Sequence, residues 1–376
     1  MVDSIVIGSG CAGSVVARKL AESGKKVLIL EKRSHIAGNC FDRKEEHGIL
    51  IHQYGPHIFH TNKKNVYDFL SRFTEWTSYQ HEVVANIHGE YIPVPFNLNS
   101  LELVFGEKSK TLQDKLIKKY GEGSRVPILK LKEDEDKEIV AIAEYVYQNV
   151  FLKYTMKQWG QKPEEIDPAV TARVPVLISR DNRYFQDVYQ GMPKEGYTVL
   201  FQKMLDHENI HVELETDAKK VLQFLKDGIY YKGEKIKGPV IFTGAVDELF
   251  DCKYGRLPYR TLEFEFEYYN QQSYQPKAVV NYTVDQDYTR ITEYKKLTKQ
   301  KCNGTVIMKE YPKSYSNENE IPYYAITNEK NNALYEKYRC ELKKYNNLYL
   351  LGRLAEYKYY NIDAIVDRAL ELAVKI

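Results

Sequence analysis

A glycine motif near the N-terminus constrains the fold of this chain more than any other feature. Gly8, Gly10 and Gly13 stand in Gly-x-Gly-x-x-Gly spacing, directly after a short apolar run and directly before an apolar-periodic stretch typical of a helix. This arrangement lets the backbone approach a pyrophosphate and places the free N–H groups of the helix N-terminus against its charge. A second apolar strand ends at Glu31, which is placed to accept hydrogen bonds from ribose hydroxyls. The sequence therefore predicts a β-α-β unit that binds a dinucleotide.

Two further features favour FAD over NAD as that dinucleotide. Basic and small residues follow Glu31 and extend the contacts to phosphate and ribose. Near the C-terminus, a second strand–Gly–Arg–helix pattern at 350–374 presents backbone N–H groups to the far end of a long cofactor, which a simple dehydrogenase does not need. Cys11 lies inside the glycine loop and is interpreted as a small packing residue, not a redox thiol. The predicted FAD-binding residues are Gly8, Gly10, Cys11, Gly13, Glu31, Lys32, Arg33, Gly38, Asn39, Gly352 and Arg353.

Composition excludes several classes of function. Lys plus Arg (54) and Asp plus Glu (52) nearly cancel, for a formal charge of +2. The chain therefore lacks the excess of positive charge that is typical of proteins that bind nucleic acid or an anionic membrane. No apolar run approaches the roughly 20 residues of a membrane span, and the N-terminal residues do not read as a signal peptide. Five scattered cysteines without a CxxC pair fit a reducing compartment and argue against structural zinc. We therefore predict a cytoplasmic protein with no metal, no nucleic-acid partner and no membrane insertion.

The hydrophobic pattern changes along the chain and predicts interleaved domains, because the chain leaves the nucleotide domain and returns to it. Apolar spacing of three and four indicates helices in the second quarter, interrupted by a hairpin or extended turn at 87–98. Strong alternation from residue 258 onward is typical of an antiparallel sheet. The predicted parts are a discontinuous FAD-binding domain (1–62, about 196–250 and 340–376), a mainly helical domain (about 63–166), a mobile substrate loop (about 168–196) and an antiparallel sheet domain (about 258–330).

Seven blocks of residues, in order over nearly the whole chain, resemble motifs of the UDP-galactopyranose mutase family, bacterial type. The agreement of so many blocks is far more specific than any one motif. The blocks are 31–39 (EKRSHIAGN), 54–61 (YGPHIFHT), 154–160 (YTMKQWG), 181–185 (DNRYF), 290–293 (RITE), 322–324 (PYY) and 352–354 (GRL).

The resemblance implies an α/β fold: a Rossmann-like FAD-binding domain with an inserted helical domain and a twisted antiparallel β-sheet domain. It also implies an isomerase that interconverts UDP-galactopyranose and UDP-galactofuranose, without net redox change, through an adduct between the sugar and N5 of the flavin. FAD is active only when reduced, so the resemblance further implies NAD(P)H or another reductant, and relatives suggest a homodimer. Galactofuranose made in this way feeds cell-surface polysaccharide.

The resemblance also assigns roles to individual residues. Arg173 and Arg290 match two arginines that bind the diphosphate, where a guanidinium stabilises the charge of departing UDP, and Arg173 is expected on a mobile lid. His57 and His60 are expected on the flavin side as catalytic residues, and Arg353 as a cation that favours the anionic reduced flavin. For each, ordinary packing or a solvated surface position is the alternative. The implied substrate-binding residues are Phe151, Tyr154, Trp159, Arg173, Tyr184, Arg290, Tyr324, Tyr359 and Asn361.

Asn361 departs from the family pattern. Relatives commonly carry Asp at this position in a Tyr-x-Asp run, whereas this chain has Tyr359, Tyr360 and Asn361. Asn keeps the shape and the hydrogen-bonding capacity of Asp but not its charge. The change leaves open how the sugar hydroxyls are held, and therefore whether galactose or N-acetylgalactosamine is the preferred sugar. His60 in its Phe-His-Thr setting favours galactose.

Three other classes of protein share part of the pattern. A flavin oxidase of the amine-oxidase type has the same FAD fold, but it needs neither two phosphate-binding arginines nor the KQWG block. A non-catalytic flavoprotein would have no turnover, so mutation of Arg173 or Arg290 would change none. An NAD-dependent sugar-nucleotide epimerase needs a Tyr-x-x-x-Lys helix, which residues 335–339 match only imperfectly.

Overall fold

The computed structural model describes residues 2–160, 175–316 and 320–376, and at Trp159 the main chain alone. The chain divides into two compact units, which we call the first and the second unit. The first unit comprises Met1–Ser78, Asp187–Thr261 and Tyr315–Ile376, and the second unit comprises Tyr79–Gln186 and Leu262–Ser314.

The strands are numbered in chain order. They are β1 Ser4–Ile7, β2 Val27–Leu30, β3 Asp42–Lys44, β4 Leu50–His52, β5 Phe59–Thr61, β6 Trp76–Ser78, β7 Val83–Ile87, β8 Glu90–Val94, β9 Arg125–Pro127, β10 Pro175–Leu177, β11 Tyr189–Pro193, β12 Ile210–Glu213, β13 Leu222–Leu225, β14 Gly228–Tyr231, β15 Glu234–Lys235, β16 Val240–Phe242, β17 Tyr259–Tyr269, β18 Val279–Tyr282, β19 Arg290–Glu293, β20 Thr305–Ser314, β21 Tyr324–Ala325 and β22 Leu348–Leu350.

The helices of the described residues are numbered in the same way. They are α1 Cys11–Glu22, α2 Lys64–Ser71, α3 Leu98–Phe105, α4 Ser109–Tyr120, α5 Ile128–Lys132, α6 Lys137–Val146, α7 Lys153–Trp159, α8 Tyr197–Leu205, α9 Ala218–Val221, α10 Val246–Leu249, α11 Tyr294–Thr298, α12 Glu329–Leu342 and α13 Ile362–Lys375, with a π-helical turn at Tyr147–Leu152 between α6 and α7. Within these described ranges, no helix is both long enough and apolar enough to cross a membrane.

The first unit is built on a five-stranded parallel sheet in the order β12-β2-β1-β16-β22. Its inner strands are continuous apolar runs because helices cover both faces of such a sheet, and every residue of β1, β2 and β16 is buried. Helices α1 and α13 pack against each other beside it. The Rossmann-like fold predicted from the glycine motif is confirmed.

Three smaller sheets complete the first unit: the hairpin β3–β4, the sheet β5-β11-β6 and the sheet β13-β14-β15. Strand β11 of the second of these lies in the segment 168–196, which the sequence predicted as a mobile loop. Gly191 permits β11 to approach β6 closely, because a Cβ at this position would lie 3.0 Å from the carbonyl oxygen of Thr77. Strand pairing over this distance in sequence cannot be deduced from local composition.

The second unit combines helices and a sheet that the sequence analysis assigned to separate domains. Its strands run in the order β17-β20-β19-β18-β7-β8. Strands β18, β19 and β20, from the segment predicted as antiparallel sheet, pair with one another antiparallel. Strand β18 also pairs in parallel with β7, from the segment predicted as helical, so the whole sheet is mixed. The β7–β8 hairpin confirms the extended segment predicted at 87–98. Its apolar residues Val83 and Ala85 share one core with α3–α6, because a two-stranded hairpin cannot bury an apolar face alone.

Candidate functional site

The parallel sheet of the first unit brings four loops to one edge. Strands β1, β2, β16 and β22 are parallel, so their carboxyl ends lie together, and they are followed respectively by the glycine loop, Glu31, Thr243 and Gly352–Arg353. Ligands of open parallel sheets bind outside the carboxyl ends of the strands, where the chain reverses its direction along the sheet. Both glycine segments found in the sequence therefore meet at this edge.

The glycines allow close approaches that any side chain would block. A Cβ at Gly13 would lie 1.9 Å from the carbonyl oxygen of Gly8, so only glycine lets α1 pack this tightly on the loop. Gly38, whose φ is +55°, approaches Gly10 so closely that a Cβ would lie 2.8 Å from the Gly10 Cα. Helix α1 starts beside this contact without a side-chain cap at Gly10. The result is a backbone-lined cleft at a helix N-terminus, which suits a phosphate.

Glu31 is fixed by the glycine loop itself. Its Oε2 accepts hydrogen bonds from the Ser9 backbone N–H at 2.8 Å and from the Ser9 hydroxyl at 2.7 Å, and its Oε1 accepts from the Arg33 N–H at 2.9 Å. Glu31 is 5% exposed. A carboxylate has about four acceptor positions, so this anchoring leaves capacity for a ribose hydroxyl. Ser9 was not singled out from the sequence, although a serine between the first two glycines is the available signal.

A cavity of about 680 Å³ runs along this edge, and all of its lining residues belong to the first unit. This volume lies within the range of small-molecule and cofactor sites. Gly13 was predicted among the FAD-binding residues but does not line the cavity, because it packs against the Gly8 carbonyl. The sequence-predicted residues that line the cavity are Gly8, Gly10, Cys11, Glu31, Lys32, Arg33, Gly38, Asn39, His57, Gly352, Arg353 and Asn361.

Arg33 lines the cavity with a guanidinium group, of which one nitrogen lacks a hydrogen-bond partner among the described residues. Its guanidinium carbon lies 4.7 Å from the centre of the Tyr54 ring, and its Nη2 donates to Asn39 Oδ1 at 3.0 Å. Its Nη1 is buried and has no hydrogen-bond partner among the described residues. A buried unpaired donor is costly unless a ligand satisfies it. The residues present therefore fit a dinucleotide with phosphate and ribose groups.

Two thiols line the cavity, the buried Cys40 and the partly exposed Cys11. Removal from water raises the pKa of each, to about 12 for Cys40. Because the nucleophilic form of cysteine is the thiolate, a raised pKa disfavours a redox role for either group. Across the described ranges, no group of three or more His, Cys, Asp and Glu side chains is arranged to hold a metal ion.

His57 is held in one tautomer at the cavity wall. Its Nδ1 lies 2.8 Å from the Gly55 carbonyl oxygen, which only accepts, so Nδ1 carries the hydrogen. The His57 backbone N–H donates to His52 Nδ1 at 3.0 Å. Burial lowers the pKa of His52 to about 4, which keeps that ring neutral and able to accept. His57 thus presents a fixed ring to the cavity, as expected of a residue on the cofactor side.

His60 has a different environment from the one predicted. It lies on β5, outside the residues that line the cavity, and its Nδ1 pairs with Asp187 Oδ2 at 3.0 Å. Asn62 Nδ2 donates to the other oxygen of Asp187 at 2.8 Å. Pairing of β5 with β11 brings these residues together from distant parts of the chain. Asp187 was missed because nothing in the sequence links it to His60.

Arg353 organises the two C-terminal tyrosines of the predicted site. The Tyr324 and Tyr359 rings stack with centroids 6.0 Å apart, and the Arg353 guanidinium carbon lies 5.4 Å and 5.0 Å from their centres. Its Nη2 donates to the Tyr360 carbonyl oxygen at 2.6 Å. Such cation–π contacts stabilise an aromatic cluster beside a positive charge. Asn361 follows at the start of α13, where it is exposed and lines the cavity.

The remaining described site residues lie in the second unit. Arg290 begins β19, and its Nε donates to Glu310 Oε2 at 2.8 Å, with the Glu310 side chain fully buried. Phe151 is 1% exposed within the core of this unit and packs on Tyr147, so the structure shows packing and its role in substrate binding stays a prediction. Tyr184 packs partly against the same core and near His81. Tyr154 lies on α7.

Two predicted site residues lie outside what the structure describes. Arg173 falls in 161–174, and of Trp159 only the main chain is described. Their predicted roles stay predictions. So does the mobile substrate loop, of which residues 175–177 and 189–193 form strands.

The fold and the cavity define the class: a Rossmann-like dinucleotide-binding protein with a second, sheet-based unit. The family model for UDP-galactopyranose mutase matches residues 149–359, and that for an NAD(P)-binding Rossmann-like domain matches residues 6–73. The chain is 37% identical to the dTDP-fucopyranose mutase of Escherichia coli, with 98% of this chain and 97% of that protein covered. It is 36% identical to a probable UDP-galactopyranose mutase of Klebsiella pneumoniae, with 98% and 93% covered. The chain belongs to the UDP-galactopyranose mutase family and is an isomerase.

Solved structures show how widely the fold is shared. A crystal structure of reduced UDP-galactopyranose mutase superposes with a TM-score of 0.72 at 16% identity, covering 99% of this chain and 93% of that one. A putative protoporphyrinogen oxidase from Exiguobacterium gives 0.65 at 12% identity, covering 99% and 98%. These likenesses establish the fold alone. By contrast, (S)-6-hydroxynicotine oxidase of Paenarthrobacter nicotinovorans matches only 25% of this chain, so the comparisons do not favour the oxidase alternative.

Proposed function

We propose that this chain is a flavin-dependent mutase that interconverts UDP-galactopyranose and UDP-galactofuranose, with FAD bound in the cavity of the first unit. The observation that carries the proposal is the backbone cleft formed by Gly10, Gly38 and the α1 N-terminus, in a chain that belongs to the mutase family. The flavin is the reduced form in the active enzyme, and NAD(P)H or another reductant supplies its electrons.

The residues of the cavity fit the parts of FAD. The glycine loop and the start of α1 would hold the pyrophosphate, and Glu31 would accept from the adenosine ribose. Arg33 would satisfy its buried Nη1 on a phosphate or ribose oxygen. When bound, reduced FAD supplies the nucleophile for exchange at the anomeric carbon of the sugar. His57, with its hydrogen fixed on Nδ1, would limit how the ring system can lie.

The protein contributes charge for the leaving nucleotide. When the bond between the sugar and UDP breaks, negative charge develops on the β-phosphate, and a guanidinium group stabilises it. Arg290 is oriented for this role because Glu310 holds its Nε at 2.8 Å. The hydroxyls of Tyr324 and Tyr359, whose rings Arg353 supports, would donate further hydrogen bonds to the diphosphate. Arg173 is proposed as the second arginine.

The decisive experiment is anaerobic incubation of the dithionite-reduced protein with UDP-galactofuranose, followed by chromatography of the products. Conversion to UDP-galactopyranose in the reduced sample and none in an oxidised control supports both the mutase activity and its dependence on reduced flavin. Binding of FAD without conversion would reject this substrate. Formation of hydrogen peroxide in air with consumption of the sugar nucleotide would point to an oxidase.

A second candidate substrate follows from Asn361 and from the fucose-specific relative. Asn361 lines the cavity where the family commonly has Asp, and the Escherichia coli relative is named for dTDP-fucopyranose. Fucose is a 6-deoxygalactose, so a site for it needs one hydrogen-bond partner fewer. We propose to compare kcat/KM for UDP-galactofuranose and dTDP-fucofuranose, and for the N-acetylated sugar. A ratio above about 10 for dTDP-fucofuranose would make the fucose nucleotide the substrate. Asn361→Asp should then shift that ratio toward galactose.

The cellular setting is also a proposal. We infer a cytoplasmic homodimer whose product feeds cell-surface polysaccharide, because sugar nucleotides are made in the cytoplasm and the chain carries five free thiols. Sedimentation of the flavin-loaded protein tests the dimer, since a monomer at micromolar concentration would contradict it.

A further inference from the structure

Lys157 in the second unit makes an unusual set of contacts for a lysine. It lies on α7, and its Nζ donates to the carbonyl oxygens of Tyr282 at 2.5 Å, Gln286 at 2.9 Å and Tyr288 at 3.3 Å. An ammonium group has three N–H donors, and all three are directed at one turn. The side chain is half-buried, so its charge is partly removed from water and these carbonyls replace the lost hydration.

The turn that Lys157 contacts leads directly to Arg290. Strands β18 and β19 are antiparallel, and residues 283–289 join them. The turn is closed at its base by the Tyr282 N–H, which donates to the Thr289 carbonyl oxygen at 2.8 Å. Arg290 is the next residue along the chain. The backbone position of Arg290 therefore depends on the turn that the ammonium group holds.

The far end of Arg290 is held separately. Its Nε donates to Glu310 on β20, and the Thr289 N–H donates to the Glu310 carbonyl oxygen at 2.8 Å. Glu310 thus fixes the direction of the guanidinium, whereas Lys157 fixes the turn from which the side chain starts. A shift of about 1 Å in a group that contacts the reacting bond can cost about 100-fold in rate.

We propose that Lys157 is a positioning residue for Arg290: by holding the 283–289 turn, it sets where the guanidinium meets the diphosphate of the nucleotide sugar. The inference rests on the proposed function, in which Arg290 binds that diphosphate. Lys157 acts here through its contacts with backbone carbonyl groups of the turn, and the proposal assigns it no contact with the reacting atoms. The same helix carries Tyr154 and belongs to the KQWG block, for which no other structural reason emerged from the sequence.

Hydrogen exchange tests the contact with the turn independently of function. In the flavin-loaded protein, Lys157→Met should speed amide exchange in peptides covering 283–289 by about 10-fold, because the turn loses its charge-assisted hydrogen bonds. Lys153→Met is the matched control: the same substitution, one turn earlier on α7, at an exposed side chain. Equal exchange in both variants would overturn the proposal. Lys157→Gln, which keeps an amide donor, replaces Lys157→Met if that variant does not fold.

A double-mutant cycle on UDP affinity tests the action through Arg290. Calorimetry should show UDP binding about 10-fold weaker in Lys157→Met than in wild type, and partly restored in Lys157→Arg. In an Arg290→Ala background the same Lys157 substitution should change affinity less than about 2-fold. An equal loss in both backgrounds means that Lys157 does not act through Arg290. If wild type and Lys153→Met do not bind UDP at all, the proposed function fails, and the exchange result still reports on the turn.

Discussion

The ion pair between Arg290 and Glu310 is the residue-scale feature with the largest consequences. The Glu310 side chain is fully buried, and that of Arg290 is 22% exposed. Removing one partner of a buried pair leaves an uncompensated charge, which typically costs about 3–5 kcal/mol. Stability and the proposed catalytic role of Arg290 therefore depend on the same contact, and a test must separate them.

We predict that Arg290→Ala lowers turnover of the reduced enzyme by about 100- to 1000-fold, the usual loss when a group that stabilises the transition state is removed. Thermal unfolding should also shift to lower temperature because Glu310 loses its partner. Adding Glu310→Gln to Arg290→Ala should recover much of the stability and none of the turnover. Turnover within a few-fold of wild type in Arg290→Ala would exclude a role in stabilising the leaving group.

His52 provides a second residue-scale prediction, in the pH dependence of stability. Burial holds its pKa at about 4 in the folded chain, against 6.5 for the free side chain. Above pH 6.5 the ring is neutral in both states and the folded state has its full stability. As pH falls from 6.5 toward 4, only the unfolded state gains the proton, so the free energy of unfolding falls by about 3 kcal/mol from this group.

Urea unfolding at a series of pH values measures this effect. His52→Asn, which keeps an acceptor for the His57 N–H, should flatten the fall between pH 6.5 and 4. His211→Asn is the control, because the His211 side chain is 74% exposed. Identical slopes in wild type and His52→Asn would mean that His52 is not the neutral buried group described.

At the scale of elements, we expect two glycines of the glycine loop to differ: Gly13 in helix packing and Gly10 in ligand binding. Gly13 lies against the Gly8 carbonyl, whereas a Cβ on Gly10 would meet only the Gly38 Cα, at 3.6 Å, which is ordinary contact. Gly13→Ala should therefore destabilise the first unit. Gly10→Ala should fold with a near-normal melting temperature but bind less FAD, because the new methyl group occupies the cleft for the pyrophosphate.

The ratio of flavin absorbance to protein concentration, measured beside the melting temperature, tests this pair. We expect a flavin content at least about 10-fold below wild type for Gly10→Ala after dialysis. Full flavin content in Gly10→Ala would place the pyrophosphate elsewhere. A normal melting temperature in Gly13→Ala would show that α1 can move away from the loop.

At the scale of the whole molecule, we expect the stability of the first unit to depend on the cofactor more than that of the second unit. The lining residues of the cavity belong to the first unit, so the FAD proposed to bind there would stabilise that unit directly. A ligand at 1,000 times its Kd adds about 4 kcal/mol. Removing FAD should therefore speed hydrogen exchange in β1 and β2, while β19 and β20 of the second unit change much less. Equal loss of protection in both units would contradict a site confined to the first.

Much of the first unit follows from local pattern. Apolar runs on both sides of a glycine turn predict β1, α1 and β2, because only buried parallel strands are apolar on both faces. The residues predicted to bind the cofactor, including the returning Gly352–Arg353 segment, line one cavity, except Gly13, which packs against the Gly8 carbonyl. Carboxyl ends of parallel strands must share an edge, so these predictions needed no knowledge of long-range contacts.

The sequence by itself determined the nucleotide fold, the motif blocks and the family, because each depends on residues that are neighbours along the chain. Only the tertiary structure decided that β18 pairs with β7 in parallel, that Asp187 pairs with His60, that Lys157 contacts the turn before Arg290, and that Glu310 holds the Arg290 guanidinium. These contacts join residues far apart in sequence, and their register is set by burial of a shared core. No local pattern encodes that register, so it appears only when the sheets have formed.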